Sequence, residues 1–176
     1  MRLAACATRR PVIAALGVLA ASAGAAITAS GAVAARASTT ACRTSGLVVW
    51  LDTQSNGTAG TIFYTVHFTN LSGSTCSLRG YPGVSAVSLT GRQLGSSASR
   101  DTATPVRTIT LRDGTTASAD LGIVETGNFS TSTCQPVTAA GLRVFPPAQG
   151  AGKTIPFPFP ACSRSGVSYL KIRAVT

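Results

Sequence analysis

The strongest constraint on this chain is its alternation, from residue 40 onward, between short apolar–polar runs and turn-forming residues. In the run 61–70 apolar residues occupy every second position from Ile62 to Phe68, with threonines and His67 between them. This two-residue period is that of a half-buried β-strand. No stretch of eight residues beyond position 40 shows the period of an amphipathic helix. About eight such runs at regular spacing predict an antiparallel β-sandwich of seven to eight strands.

Turn residues divide these runs. Asn56-Gly57 and Asp113-Gly114 predict hairpin turns, because both residue pairs tolerate positive φ. Tyr81-Pro82-Gly83-Val84 predicts a type II turn, in which proline fixes one φ and glycine supplies the positive one. The stretch 91–104 is rich in serine, glycine and threonine and is expected to be a soft, exposed loop.

A proline-rich run near the end of the chain limits where its strand can lie. Each proline between Ile155 and Pro160 lacks the N–H that a central strand needs, so the run predicts an edge strand or an extended cover. Phe157 and Phe159 are expected to pack on the sandwich, and a proline-rich recognition ligand is the alternative. The predicted strands cover residues 47–51, 61–70, 84–89, 106–112, 115–124, 142–145, 153–159 and 167–175.

Four cysteines accompany the β-rich region: Cys42, Cys76, Cys134 and Cys162. An even number in an exported domain favours disulfides, and the absence of any C-x-x-C pair disfavours zinc. In an antiparallel hairpin, the chain before the first strand lies beside the chain after the second. The first two cysteines flank the first hairpin in this way, and the last two flank the final one. This geometry predicts the pairs Cys42–Cys76 and Cys134–Cys162.

The amino-terminal segment predicts export. Arg2, Arg9 and Arg10 precede an uncharged, alanine-rich run that ends in Ala-x-Ala sites, the pattern of a signal peptide rather than a retained membrane anchor. Thr8 to Ile13 also resembles a twin-arginine signal, and the pattern leaves the export route open. We predict a cleaved leader over 1–37 and one β-sandwich domain over 38–176. Losing the leader's four arginines lowers the formal net charge from +10 to +6.

Residues suited to catalysis are scarce. The chain has one histidine and five acids, and the acids are scattered. His67 lies mid-strand with no nucleophile or acid motif beside it, which favours a structural or surface role. Trp50 and Tyr64 could form a sugar-binding platform, but core packing is commoner for aromatic residues in strands and is expected here. We predict no catalytic, cofactor-binding or metal-binding residues.

The segment from Cys76 to Val84, Cys-Ser-Leu-Arg-Gly-Tyr-Pro-Gly-Val, resembles a family of actinobacterial secreted or lipid-anchored domains of unknown function, the DUF4232 type. The similarity extends upstream through 68–75 to Cys42. Downstream it covers the Leu111–Gly114 turn, Leu142-Arg143-Val144, the other two cysteines and most of the mature region. Asp113 stands where this family is expected to have proline. The resemblance implies an immunoglobulin-like sandwich outside the membrane, without catalytic residues or an assigned function.

These features predict a secreted, non-catalytic binding or structural module that recognises a ligand through loops at one end of the sandwich. The expected partner is a cell-wall polymer or an envelope protein, and a monomer with no cofactor is expected. The cations from Arg43 to Arg173 are spread singly, so nucleic acid is not an expected partner. The alternatives are a secreted hydrolase that uses unrecognised carboxylates and a secreted inhibitor. An inhibitor needs an exposed, rigid loop, and the stretch 91–104 looks too soft to supply one.

Overall fold

The computed structural model describes residues 39–176, so the predicted leader lies outside the described residues. This part of the chain is almost entirely β, as predicted. It contains eleven strands: β1 (Leu47–Thr58), β2 (Thr61–Asn70), β3 (Cys76–Arg79), β4 (Gly83–Val87), β5 (Gln93–Leu94), β6 (Ser99–Asp101), β7 (Thr108–Leu111), β8 (Thr116–Val124), β9 (Pro136–Phe145), β10 (Lys153–Cys162) and β11 (Leu170–Arg173). It also contains the one-turn helix α1 (Thr131–Cys134) and 3₁₀ turns at Thr44–Gly46 and Thr126–Asn128.

Two larger sheets and one small sheet make up the domain. The first has five strands in the order β1-β2-β8-β11-β6, and the second has four in the order β10-β9-β4-β5; β3 and β7 form the third. Among the described strands, every pairing is antiparallel except that of β11 with β6. The inner faces of the two larger sheets share one core, formed by residues such as Val66, Phe68, Leu121, Leu142 and Val144. The predicted sandwich is confirmed.

Both predicted disulfides are present. Cys42, just before β1, bonds to Cys76 at the start of β3, and Cys134 at the end of α1 bonds to Cys162 at the end of β10. The bonded cysteines are separated by 34 and 28 residues along the chain. In the loop-entropy model, rings of this size each stabilise the fold by about 3.7 kcal/mol.

The first hairpin turns later than its sequence predicted. Its two turn residues are Ala59 and Gly60, with φ of 44° and 79°, and Asn56-Gly57 lies inside β1. The cause is a bulge in β1: the register shifts between Asp52 and Asn56, where three residues face one residue of β2. Because the bulge adds residues to β1, Asn56 and Gly57 pair with Phe63 and Ile62 inside the hairpin. The chain reverses only after them, at Ala59 and Gly60.

Asp113-Gly114 does turn the chain, and Gly114 has a φ of 78°. The strands on its two sides do not form the predicted hairpin, however. β7 pairs with β3, whereas β8 lies between β2 and β11 in the five-stranded sheet. The turn residues specify a reversal of direction and carry no information about which strand becomes the partner.

The predicted type II turn before β4 is also wrong. Gly80 has the positive φ, at 106°, and Gly83 begins β4 in extended conformation opposite Phe145. The conformational freedom of glycine is therefore used one residue before Tyr81 instead of after Pro82.

The stretch 91–104 is tethered rather than a soft, exposed loop. It contains β5 and β6, and Leu94 is fully buried with its carbonyl accepting a hydrogen bond from the Tyr169 hydroxyl. The backbone N–H groups of Ser96 and Ala98 donate to the carbonyls of Val167 and Val84. The polar composition of the stretch gave no indication of these backbone hydrogen bonds. Because the stretch is held in place, the argument that it is too soft to be an inhibitory loop no longer applies.

The proline-rich strand β10 lies at the edge of the four-stranded sheet, as its missing N–H groups require. Its register against β9 shifts between Pro156 and Phe159. Phe159 enters the core, and Phe157 lies edge-on to Tyr64 with ring centroids 4.9 Å apart. The predicted packing of both phenylalanines on the sandwich is confirmed.

Candidate functional site

The outer face of the five-stranded sheet carries aromatic, hydroxyl and charged side chains within one surface. Alternation along each strand sends every second side chain away from the core. Cross-strand register then places Trp50 of β1 opposite His67 of β2, and His67 opposite Ser118 of β8. We call this surface the outer face.

An aromatic stack occupies one end of the outer face. The rings of Trp50 and His67 lie with centroids 4.0 Å apart and planes inclined by 20°. The indole Nε1 donates to Thr69 Oγ1 at 3.1 Å, and that hydroxyl is 2.9 Å from Thr116 Oγ1. Trp50 is nevertheless 42% exposed. Its polar N–H is therefore satisfied while part of its ring remains open to solvent.

The expectation that Trp50 packs in the core is wrong, because the register of β1 turns this residue outward. Tyr64 belongs to the inner side of β2, half-buried against Phe157. The two aromatic residues thus fall on opposite faces and form no common platform. The residue beside Trp50 is His67, which the platform alternative did not include.

The surroundings of His67 favour the neutral form of its ring. Partial burial lowers the pKa of its imidazole below the usual value, and the nearby carboxylate of Asp52 offsets part of that effect. A stacked imidazole without its charge avoids the cost of desolvating a cation. The predicted structural or surface role of His67 fits this position on the sheet.

A charged cluster occupies the other end of the outer face. Arg173 of β11 donates from Nε to Asp101 Oδ2 at 3.0 Å and from Nη1 to Asp120 Oδ2 at 3.1 Å. The cationic groups of Lys171 and Arg173 lie 5.0 and 5.5 Å from the centroid of the Phe63 ring. Beside them is a depression of about 240 Å³ that is lined in part by Phe63, Asp120 and Arg173.

Two carboxylates therefore converge, but on a shared guanidinium. Hydrogen bonds from the Ala103 backbone N–H and from Arg173 lower the pKa of Asp101, which holds it as an anion. Glycoside hydrolysis needs one carboxyl group that stays protonated to serve as the acid. Asp101 has the opposite character. Its environment is that of a structural ion pair.

The three remaining acids do not join this cluster, and Asp52 lies near His67. Asp113 accepts a hydrogen bond from the Gly73 N–H, which fixes its turn, and Glu125 is exposed beside the 3₁₀ turn Thr126–Asn128. Within the described residues, no three His, Cys, Asp or Glu side chains are placed to hold a metal ion. None of the helices of this part of the chain is long and apolar enough to cross a membrane.

A cavity of about 300 Å³ opens between the two sheets near the β1–β2 turn. Its apolar lining includes Ile62, Ile123 and Phe159, and Glu125 stands at its exposed rim. The amide of Asn128, another lining residue, already donates to the Gly60 carbonyl. Tyr64 and Thr126 also line the cavity, so it has polar as well as apolar walls, as ligand pockets do. None of its described lining residues presents an exposed aromatic ring comparable to that of Trp50. The outer face is the better candidate.

Comparison with known proteins places the chain in a family. A model described as a domain of unknown function (DUF4232) matches residues 42–176. The chain belongs to this family. The DUF4232 match runs from the first disulfide cysteine to the end of the chain, so it spans both disulfides and every described strand. No curated protein and no solved structure matches the chain. A function for this DUF4232 domain must therefore be argued from its own chemistry.

Proposed function

We propose that this chain is a secreted, non-catalytic binding module of the cell envelope that recognises a wall polysaccharide through its outer face. The observation that carries the proposal is the exposed, immobilised indole of Trp50. Tryptophan is among the residues that most often dominate binding energy, because it contributes a large contact area at little cost in conformational entropy. The outer face replaces the loops that the sequence suggested as the binding region.

The groups around Trp50 suit a polysaccharide. A sugar ring presents C–H groups that pack on an aromatic ring and hydroxyls that need hydrogen-bond partners. The hydroxyls of Thr69, Thr116 and Ser118 and the carboxylate of Asp52 belong to the same face. These groups supply donors and acceptors beside an apolar contact, which is the combination that an amphipathic ring requires.

The absence of catalysis is part of the proposal. The converging carboxylates of Asp101 and Asp120 are both bound to Arg173, and the lowered pKa of Asp101 keeps it ionised. Neither feature suits an acid catalyst. Two disulfides and a leader-like amino terminus support secretion, since disulfides persist in oxidising compartments.

The test is a sedimentation assay of residues 38–176 with purified wall polysaccharide and with intact peptidoglycan. This fragment contains the whole described core and both disulfides. Trp50→Ala should weaken binding by about 30-fold, the effect of losing a hot-spot side chain worth about 2 kcal/mol. Leu89→Ala is the matched control, because Leu89 is apolar and 96% exposed in the connection after β4.

Binding of Trp50→Ala at wild-type strength would contradict the proposed face. Failure of the wild type to bind either polymer would contradict the proposed ligand class. A thermal melt of each variant separates loss of binding from loss of folding.

A further inference from the structure

The two longest strand edges of the domain differ in how they are protected. Among the described strands, β1 and β6 end the five-stranded sheet, and β10 and β5 end the four-stranded one. β5 and β6 have two and three residues, so only β1 and β10 offer an edge of useful length. An exposed edge is a template for pairing with another chain, and proteins normally block it.

The β10 edge is blocked. Pro156, Pro158 and Pro160 remove three N–H groups from it, and the register against β9 shifts between Pro156 and Phe159. Proline and irregular register are two of the devices that prevent edge-to-edge pairing.

The β1 edge has neither device between Leu47 and Asp52. The Leu71 N–H donates to the Gly46 carbonyl, so even-numbered residues of this segment direct their backbone groups toward β2. Backbone direction alternates along an antiparallel strand. The N–H and C=O groups of Val49 and Leu51 therefore point away from β2, where no described strand pairs with them.

The same six residues expose two large apolar side chains. Val48 is 46% and Trp50 42% exposed on the outer face, and residues 47–51 carry no charge. The bulge after Asp52 ends the regular edge. The open edge is thus six residues long, about 20 Å, which is the length of an ordinary β-strand.

We propose that this edge pairs with the same edge of a second copy of the chain, in an antiparallel arrangement centred on Val49. In that register Val49 faces its own counterpart, and Leu47 of each copy faces Leu51 of the other. The central pair can form both of its ladder hydrogen bonds. In each outer pair the Leu51 N–H can donate to the Leu47 carbonyl, whereas the Leu47 N–H already donates to the Thr44 carbonyl. The result is a continuous sheet with a two-fold axis, the commonest symmetry of homodimers.

Self-complementarity of the side chains selects a second copy as the partner. The register sets Val48 of one chain directly beside Trp50 of the other, so the exposed apolar residues of both copies cover each other. It sets Asp52 opposite Gly46, which places the two carboxylates at opposite ends of the paired segment. Like charges therefore do not meet. This arrangement replaces the monomer expected from the sequence, where the open edge could not be seen.

Pairing covers the part of the Trp50 ring that the proposed polysaccharide would contact, so the dimer and the bound polymer compete for one surface. The pairing is therefore tested without ligand. Sedimentation-velocity measurements on residues 38–176, from low to high micromolar concentration, should show a dimer. Val48→Lys should give a monomer, because pairing would strip water from the lysine cation at an apolar seam, and edge lysines are one of the devices by which proteins block strand pairing. Val137→Lys is the matched control: Val137 is 41% exposed but lies on β9, and this variant should remain dimeric.

Amide hydrogen exchange supplies a second readout that does not depend on hydrodynamics. The N–H groups of Val49 and Leu51 should be protected in the wild type and exchange at least tenfold faster in Val48→Lys. A wild-type monomer across the range, a Val48→Lys dimer, or fast exchange of both amides in the wild type would each overturn the proposal. Protection that arises only when envelope extract is added would assign the edge to a foreign strand and also overturn it.

Discussion

At the scale of single residues, the Trp50–His67 stack makes the outer face sensitive to pH. The imidazole contacts the indole while partial burial lowers its pKa, so protonation and stacking compete for the same ring. Trp50 is the only tryptophan of the chain, which gives the stack an optical signal of its own. A histidine that looked incidental in the sequence therefore makes the proposed binding surface respond to pH.

We predict that the free energy of unfolding falls as the pH drops below about 6.5, the usual histidine pKa. The folded-state pKa of His67 is lowered, so the unfolded chain takes up the proton first and stability is lost as the pH passes down to the folded value. His67→Phe keeps a stacking ring and should remove this slope. Urea unfolding of both proteins between pH 8 and pH 5, with Trp50 fluorescence as the probe, measures the difference.

Asp101 does not contribute to the pH slope in this range. The pKa of Asp101 is also lowered, but a carboxyl group with a depressed pKa loses stabilisation only as the pH falls below its unfolded value, about 3.9. Its contribution therefore lies outside the histidine window. Equal pH slopes for the wild type and His67→Phe would show that the stack does not titrate as described.

At the scale of elements, local chemistry was predictable and pairing was not. The bounds of β2, the edge position of β10 and both disulfides follow from alternation, missing N–H groups and hairpin closure. β8 was assigned the wrong partner, because Asp113-Gly114 encodes only a turn. The orientation of the candidate functional residues was harder still to predict. Residues 47–51 are all apolar, so no alternation in the sequence shows that Val48 and Trp50 face outward.

The charged cluster shows the same limit at longer range. Arg173 and Asp120 lie in strands that the sequence predicted, over 167–175 and 115–124. Asp101 lies in a stretch whose composition indicated a loop, and the parallel pairing of β6 with β11 brings it to Arg173. A contact between residues 72 positions apart leaves no local signal. Only the sheet order reveals it.

Close packing of β9 against β10 gives a prediction at this scale. A Cβ on Gly141 would overlap with the Ile155 carbonyl oxygen, a backbone atom that cannot rotate away. Gly141→Ala should therefore destabilise the domain by about 1–3 kcal/mol, as overpacking does elsewhere. Gly150→Ala is the control, because that site in the β9–β10 connection is open. Urea midpoints at neutral pH compare the two, and equal midpoints would contradict the close approach.

At the scale of the whole molecule, the carboxyl-terminal residues join parts of the fold that are far apart in sequence. Ala174 and Val175 are fully buried. The Val175 N–H donates to the Gly80 carbonyl, next to the small sheet, while Thr176 and Ser118 exchange two backbone hydrogen bonds. The segment after β11 thus connects the five-stranded sheet to the turn that follows β3. Chain ends are usually poorly ordered unless they are tied down in this way.

Deleting residues 174–176 should therefore cost several kcal/mol, a large share of a total stability of about 5–15 kcal/mol. Three backbone hydrogen bonds at about 1 kcal/mol each and the burial of Val175 are lost together. Thr176→Ala keeps the backbone bonds and should change little. Val175→Ala removes two buried carbons and should cost about 1.5 kcal/mol even if the deletion fails to fold. Urea unfolding with the disulfides intact measures all three. Wild-type stability in the deletion would show that the sandwich closes without its last residues.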